Sequence, residues 1–156
     1  MTAPATFEPE FIARLKTLFE ELIVFNRTLG LQVTDVAPER VAARLDMRPA
    51  LIGHQGQQRL HGGVTSAALD AMGGLAVMAA IGARHMDEPI AERMARFAKL
   101  GTIDLRVDYL RPATGPHFTA SAEVLRLGSR VASTRMEFFD AQGRLLSTGA
   151  AAYIVS

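Results

Sequence analysis

Residues 61–82 read HGGVTSAALDAMGGLAVMAAIG. The stretch contains no proline, and from Gly62 to Ala83 its one charged residue is Asp70. A helix that is apolar around its whole circumference has no face to offer water, so the rest of the chain must wrap it. Its length borders on that of a membrane span, but it is rich in Gly and Ala, poor in Leu, and carries Asp70 near its middle, which argues against one.

A carboxylate inside such a segment is costly unless it is paired, hydrated or functional. The simplest role for Asp70 is to cap a neighbouring backbone. Gly62 and Gly63, following His61 where the helix begins, point further. Backbone N–H groups at a helix start lack intrahelical acceptors and sit at the positive end of the dipole, a setting that suits an oxyanion or a polarised carbonyl. Eight residues of helix separate Gly62 from Asp70, roughly 12 Å of rise. Asp70 cannot reach a carbonyl held at the start of its own helix. If both groups serve one reaction, the carboxylate comes from a second copy of the helix, antiparallel across a two-fold axis, which predicts a homodimer with two composite sites. Gly73 and Gly74 cost about 1 kcal/mol each against Ala in a helix interior. They suit either close passage of another backbone or tight seating of the helix on a sheet.

The segments HGGVTSAALDAMGG (61–74), GTIDLRVDYLRPA (101–113) and FNRTLGLQV (25–33) together resemble the hotdog-fold acyl-CoA thioesterases. The likeness is to the phenylacetate-degradation-type branch, closest to its medium- and long-chain acyl-CoA thioesterases, and it runs over nearly the whole chain. It implies an α+β hotdog fold and hydrolysis of medium-chain, long-chain or aromatic acyl-CoA to acid and coenzyme A, with no cofactor because water is the second substrate. It also implies dimers that pair into tetramers. By the same resemblance the Gly62 N–H binds the thioester carbonyl, assisted by His61 or Gln55, with Gly63 beside it. Asp70 acts as general base on water, or as nucleophile through a mixed anhydride. Relatives carry an Asn about six residues before the His, where this chain has Gln55 on a longer stem. A Ser or Thr at the place of Thr102 positions the attacking water. His61 is read as a brace for this loop rather than as the base.

The flanking sequence fits one domain over residues 1–156, long enough for a real core. Net charge is +1 and cysteine is absent, so neither a broad basic surface for nucleic acid or an anionic membrane, nor a disulfide framework or thiolate metal site, is indicated. MTAPATFEPE (1–10) lacks a basic start and an apolar run, giving the expectation of a cytoplasmic protein. Glu8 to Arg27 reads as one amphipathic helix with Phe11, Ile12, Leu15, Leu18, Phe19, Leu22 and Ile23 inward, ending at Gly30. Two short strands, Leu31 to Val36 and Arg40 to Met47, precede a polar loop from Arg48 to Leu60. After the central helix, Ile90, Met94 and Phe97 mark a short amphipathic helix, either a wall over an acyl pocket or a packing connection.

Thr102 to Leu110 alternates strictly, with Ile103, Leu105, Val107 and Tyr109 on the apolar face. That alternation turns Thr102 away from this face, so it meets Asp70 only if the strand opens with a bulge or strong twist. Three more strands, His117 to Leu127, Arg130 to Phe139 and Leu145 to Val155, bring the antiparallel sheet to five or six around the helix. Arg59, Arg111, Arg126 and Arg130 fall in loops or near strand ends. Arg111 and Arg130 are the leading candidates to meet coenzyme A phosphates. His54, His61, His85 and His117 lack metal-site spacing, and serine-hydrolase, NTP and dinucleotide signatures are missing. The competing functions are an acyl-CoA-binding or regulatory module without turnover, and dehydration or isomerisation of an acyl thioester.

Overall fold

The computed structural model describes residues 5–156; the first four residues of the stretch read for a targeting signal lie outside them. Helix α1 (Pro9–Thr17) runs into a π turn (Leu18–Leu22) and then α2 (Val24–Leu29). Strands β1 (Leu31–Val36) and β2 (Val41–Asp46) follow, then a small hairpin of β3 (Ile52–His54) and β4 (Arg59–Leu60). The central helix α3 spans Gly62–Arg84, and α4 spans Ile90–Ala95. The chain ends in β5 (Gly101–Tyr109), β6 (His117–Leu127), β7 (Val131–Asp140) and β8 (Leu145–Ile154). Six strands form an antiparallel sheet in the order β1-β2-β6-β7-β8-β5. It curls around α3, giving the hotdog arrangement.

The apolar circumference of α3 is covered as its composition demands. Leu69, Met72, Leu75 and Val77 are wholly inaccessible, in one core with Phe118, Met136 and Phe138 from the sheet. By length and composition α3 could cross a membrane, but here 61% of its most apolar window is buried within the fold. One stripe stays partly open: Gly63, Ser66, Ala67, Asp70, Ala71 and Gly74, at helical spacings of three and four.

The expected single N-terminal helix is broken. Ile23 leaves helical geometry at φ −78°, ψ 93°, directly after the π turn. The break is held from outside the helix: Asn26 Nδ2 donates to the Phe19 carbonyl at 3.0 Å, and Glu20 Oε1 accepts the Val33 N–H at 2.6 Å. Its consequence is a rotated face. Phe11, Leu15 and Phe19 are buried as the periodicity requires, whereas Leu22 is 66% exposed instead of inward. Gly30 ends α2 at φ +79°, a left-handed exit that suits glycine.

The polar stretch before α3 is also more ordered than a loop. Its β3–β4 hairpin brings Gly53 against His61, where a Cβ would lie 2.6 Å from the His61 Cα. On β5, Leu105 and Val107 are half-buried, while Ile103 is 55% and Tyr109 54% exposed. The expected half-buried apolar face is therefore only partly covered, because β5 is an edge strand whose outer side carries no neighbour among the described residues. Helix α4 takes the packing role. Its Arg93 is 1% exposed, stacks at 4.6 Å on the Phe11 ring and pairs with Glu8 Oε1 at 2.5 Å. That guanidinium holds the Glu8 carboxyl below its usual range.

Candidate active site

The start of α3 forms the first half of the site. His61 is the N-cap, and its ring Nδ1 accepts the Gly63 N–H at 2.8 Å. The brace expected of His61 is thus a helix cap, and the Gly63 N–H is already satisfied. Gly62 stands at the first helical position, where no intrahelical acceptor exists, and its N–H finds none among the described residues. On the other side the Tyr109 hydroxyl donates to the Gly62 carbonyl at 2.6 Å. These groups border a groove of about 580 Å³ lined by Arg59, Gly62, Gly63, Tyr109, Arg111 and Ser147.

Asp70 lies on the open stripe of α3 beside a second groove of about 290 Å³. Phe19, Ile23, Phe25, Met78 and Leu100 make its wall apolar, and no Lys, Arg or His lines it. Thr102 Oγ1 donates to Asp70 Oδ1 at 2.9 Å. Regular alternation would have turned that hydroxyl away, and the register shows how it arrives. Thr102 pairs with Tyr153 and Asp104 with Ala152, leaving Ile103 as a bulge that re-aims the strand start.

Tyr153 completes this half and was not among the sequence candidates. Its hydroxyl lies 2.7 Å from the Asp70 carbonyl and 3.1 Å from Oδ1. Burial, reinforced by the Asp70 charge, pushes the Tyr153 phenol well above its ordinary range, so it remains a proton donor at all working pH. Gly73 makes room for it: a Cβ there would overlap the Tyr153 hydroxyl and approach its Cζ at 2.8 Å. The close neighbour of Gly73 within this chain is thus a sheet side chain, and Gly74 lines the Asp70 groove. Asn26 is a second missed residue, a buried amide that holds the Phe19 turn and lines the same groove.

Gly62 and Asp70 therefore border separate grooves, as eight residues of helix require. Arg111 reaches the first groove and is steadied by donating to the Leu145 carbonyl at 2.8 Å. Arg130 sits in the β6–β7 turn and lines neither groove. Nor does Gln55, which opens a single 3₁₀ turn (Gln55–Gln57) with its side chain exposed.

Residues 57–147 match the family model described as Thioesterase superfamily. The chain belongs to the thioesterase superfamily. It is 37% identical over 131 residues to the medium/long-chain acyl-CoA thioesterase YigI of Escherichia coli strain K12, covering 84% of each protein. A crystal structure from Shewanella oneidensis, described as related to the thioesterase superfamily, superposes with a TM-score of 0.88 at 39% identity, covering 96% of this chain and all of that one. The mouse thioesterase superfamily member 2 shares the fold, with a TM-score of 0.74 at 18% identity. The family match includes Gly62, Asp70 and Thr102 and ends before Tyr153.

Proposed function

We propose that this superfamily member hydrolyses medium- to long-chain acyl-CoA thioesters at composite sites in a homodimer. The observation that carries this reading is Asp70: a carboxylate held by Thr102 and Tyr153 at the mouth of an apolar groove, with no cation beside it. The apolar wall suits an acyl chain, and the named activity of the E. coli relative agrees in substrate class. In the antiparallel pairing proposed here, the open stripes of two α3 helices meet. The Gly62 N–H of one protomer then faces Asp70 of its partner, and Arg59 and Arg111 flank the path of the coenzyme A phosphates. The Gly62 N–H polarises the thioester carbonyl and takes up the developing oxyanion charge. Asp70 removes a proton from water, the hydroxide adds to the carbonyl, and collapse of the tetrahedral intermediate expels the thiolate, which is then protonated. Thiol release from short, medium, long and aromatic acyl-CoAs tests the activity. Binding without release across the panel would favour a non-catalytic module.

The composite geometry has its own test. Proline at the first helical position keeps the helix and removes the N–H, its Cβ would meet the Tyr109 ring at an ordinary contact of 3.4 Å, and His61 already has the extended ψ of 133° that a following proline needs. Gly62→Pro should therefore fold normally and lose about 10²- to 10³-fold in kcat, the usual cost of one oxyanion donor. Asp70→Asn should be inactive for the complementary reason. Mixing the two under subunit exchange should restore about a quarter of wild-type activity, since half the dimers are mixed and each has one intact site of two. A site contained within one chain would show no recovery.

A further inference from the structure

We propose that Tyr153 is a positioning residue that, together with Thr102, locks Asp70 through its Oδ1 and leaves Oδ2 as the reacting oxygen. The inference rests on the catalytic reading of Asp70 and deepens it. Both hydroxyls converge on the same atom, at 2.9 Å from Thr102 Oγ1 and 3.1 Å from the Tyr153 oxygen, while Oδ2 has no donor among the described residues. The two donors come from adjacent strands at one register point, Thr102 being paired with Tyr153 across β5 and β8. Two further features maintain the arrangement. The Ile103 bulge aims Thr102, and the missing side chain of Gly73 opens the notch that admits the Tyr153 ring.

The chemistry of the clamp follows from its proton count. Tyr153 has one hydroxyl proton, shared between the Asp70 carbonyl at 2.7 Å and its Oδ1 at 3.1 Å, and its burial with Asp70 beside it keeps that proton in place. Donors on an ionised carboxylate favour the charged form. They also restrict rotation about the carboxyl group, so Oδ2 is presented in one direction. Tyr153 is the titratable side chain in contact with Asp70, and the groove lining adds no other charge, so the hydroxyl is the electrostatic partner available to the carboxylate.

Tyr153→Phe removes the hydroxyl and keeps the ring that fills the Gly73 notch. It is expected to lower kcat about tenfold, the equivalent of one hydrogen bond to a charged group, with KM nearly unchanged. Adding Thr102→Val should lower kcat further, again with KM nearly unchanged. A lower melting temperature with kcat unmoved would show a structural role only and overturn the proposal. If Tyr153→Phe does not fold, 3-fluorotyrosine placed site-specifically at position 153 leaves the other of the two tyrosines, Tyr109, unchanged. The fluorinated phenol, a stronger donor, should then change kcat with KM nearly unchanged, and an unmoved kcat overturns the proposal equally. The control is Asp70→Asn. Should that variant keep its activity, the catalytic reading itself fails; should it be inactive while Tyr153→Phe behaves as wild type, only the clamp is lost.

Discussion

Asp70→Asn is expected to lower kcat by about 10²- to 10⁴-fold, the range for loss of a catalytic base. The substitution is nearly isosteric, and an amide oxygen at Oδ1 can still accept from Thr102 and Tyr153, so the local packing survives. What disappears is the charge and the proton affinity of the second oxygen. Thiol release should collapse while circular dichroism, melting temperature and oligomeric state stay as in the wild type. A fall of less than tenfold in a folded protein would remove Asp70 from the chemistry. A single turnover in labelled water separates its two possible roles: a base leaves the Asp70 carboxylate unlabelled, whereas a mixed anhydride hydrolysed at that residue transfers the label to it.

The largest stability effect is expected at Phe11. Its side chain is fully buried, inclined against Phe7 with ring centroids 4.8 Å apart, and covered by the Arg93 guanidinium. On its far side it fills the space left by Gly82, where a Cβ would clash with the ring. Phe11→Ala removes these contacts together and strips the apolar cover from a buried cation, so a cost of about 3–5 kcal/mol is expected. For a domain of this size that is a fall of roughly 6–20 °C in the melting midpoint. A thermal melt checks it. A loss below about 1 kcal/mol would mean that α1 folds independently of the core it covers.

The two variants probe features that differed in how plainly the sequence displayed them. Asp70 stands out because it is the one charge in a long apolar run, and burial of a charge is costly enough that the contrast alone marks it. Phe11 was visible through its helical spacing with Leu15 and Phe19. Its partner Arg93 was not, since an arginine amid other charges has the pattern of a solvated face. Here its aliphatic stem and flat cation are enclosed between α1 and α4. Likewise, Leu22 fits the apolar stripe by count. It faces water because the π turn shifts the phase of the helix, and that shift is secured by Asn26 and Glu20 bonding to distant backbone.

Thr102 shows the boundary between local pattern and register. Strict alternation and a contact with Asp70 are incompatible, and a bulge was the condition under which the contact could form. The bulge is present at Ile103, but its location depends on how β5 pairs with β8, which no spacing within either strand specifies. Tyr153 lies beyond that boundary altogether. It resembles any apolar strand residue near a chain end until the sheet curls and sets its hydroxyl over Asp70.

By itself, the sequence determined the wrapped central helix, the antiparallel strands and the separation of Gly62 from Asp70. Each follows from composition or from helical and strand periods acting over a few residues. Only the tertiary structure decided the Ile103 bulge, the broken N-terminal helix, the enclosure of Arg93 and the meeting of Tyr153 with Asp70. Those depend on strand register and on the depth at which α3 seats against the sheet. Both are set by the simultaneous packing of many side chains, with Gly73 and Gly82 admitting Tyr153 and Phe11 where any larger residue would hold them off.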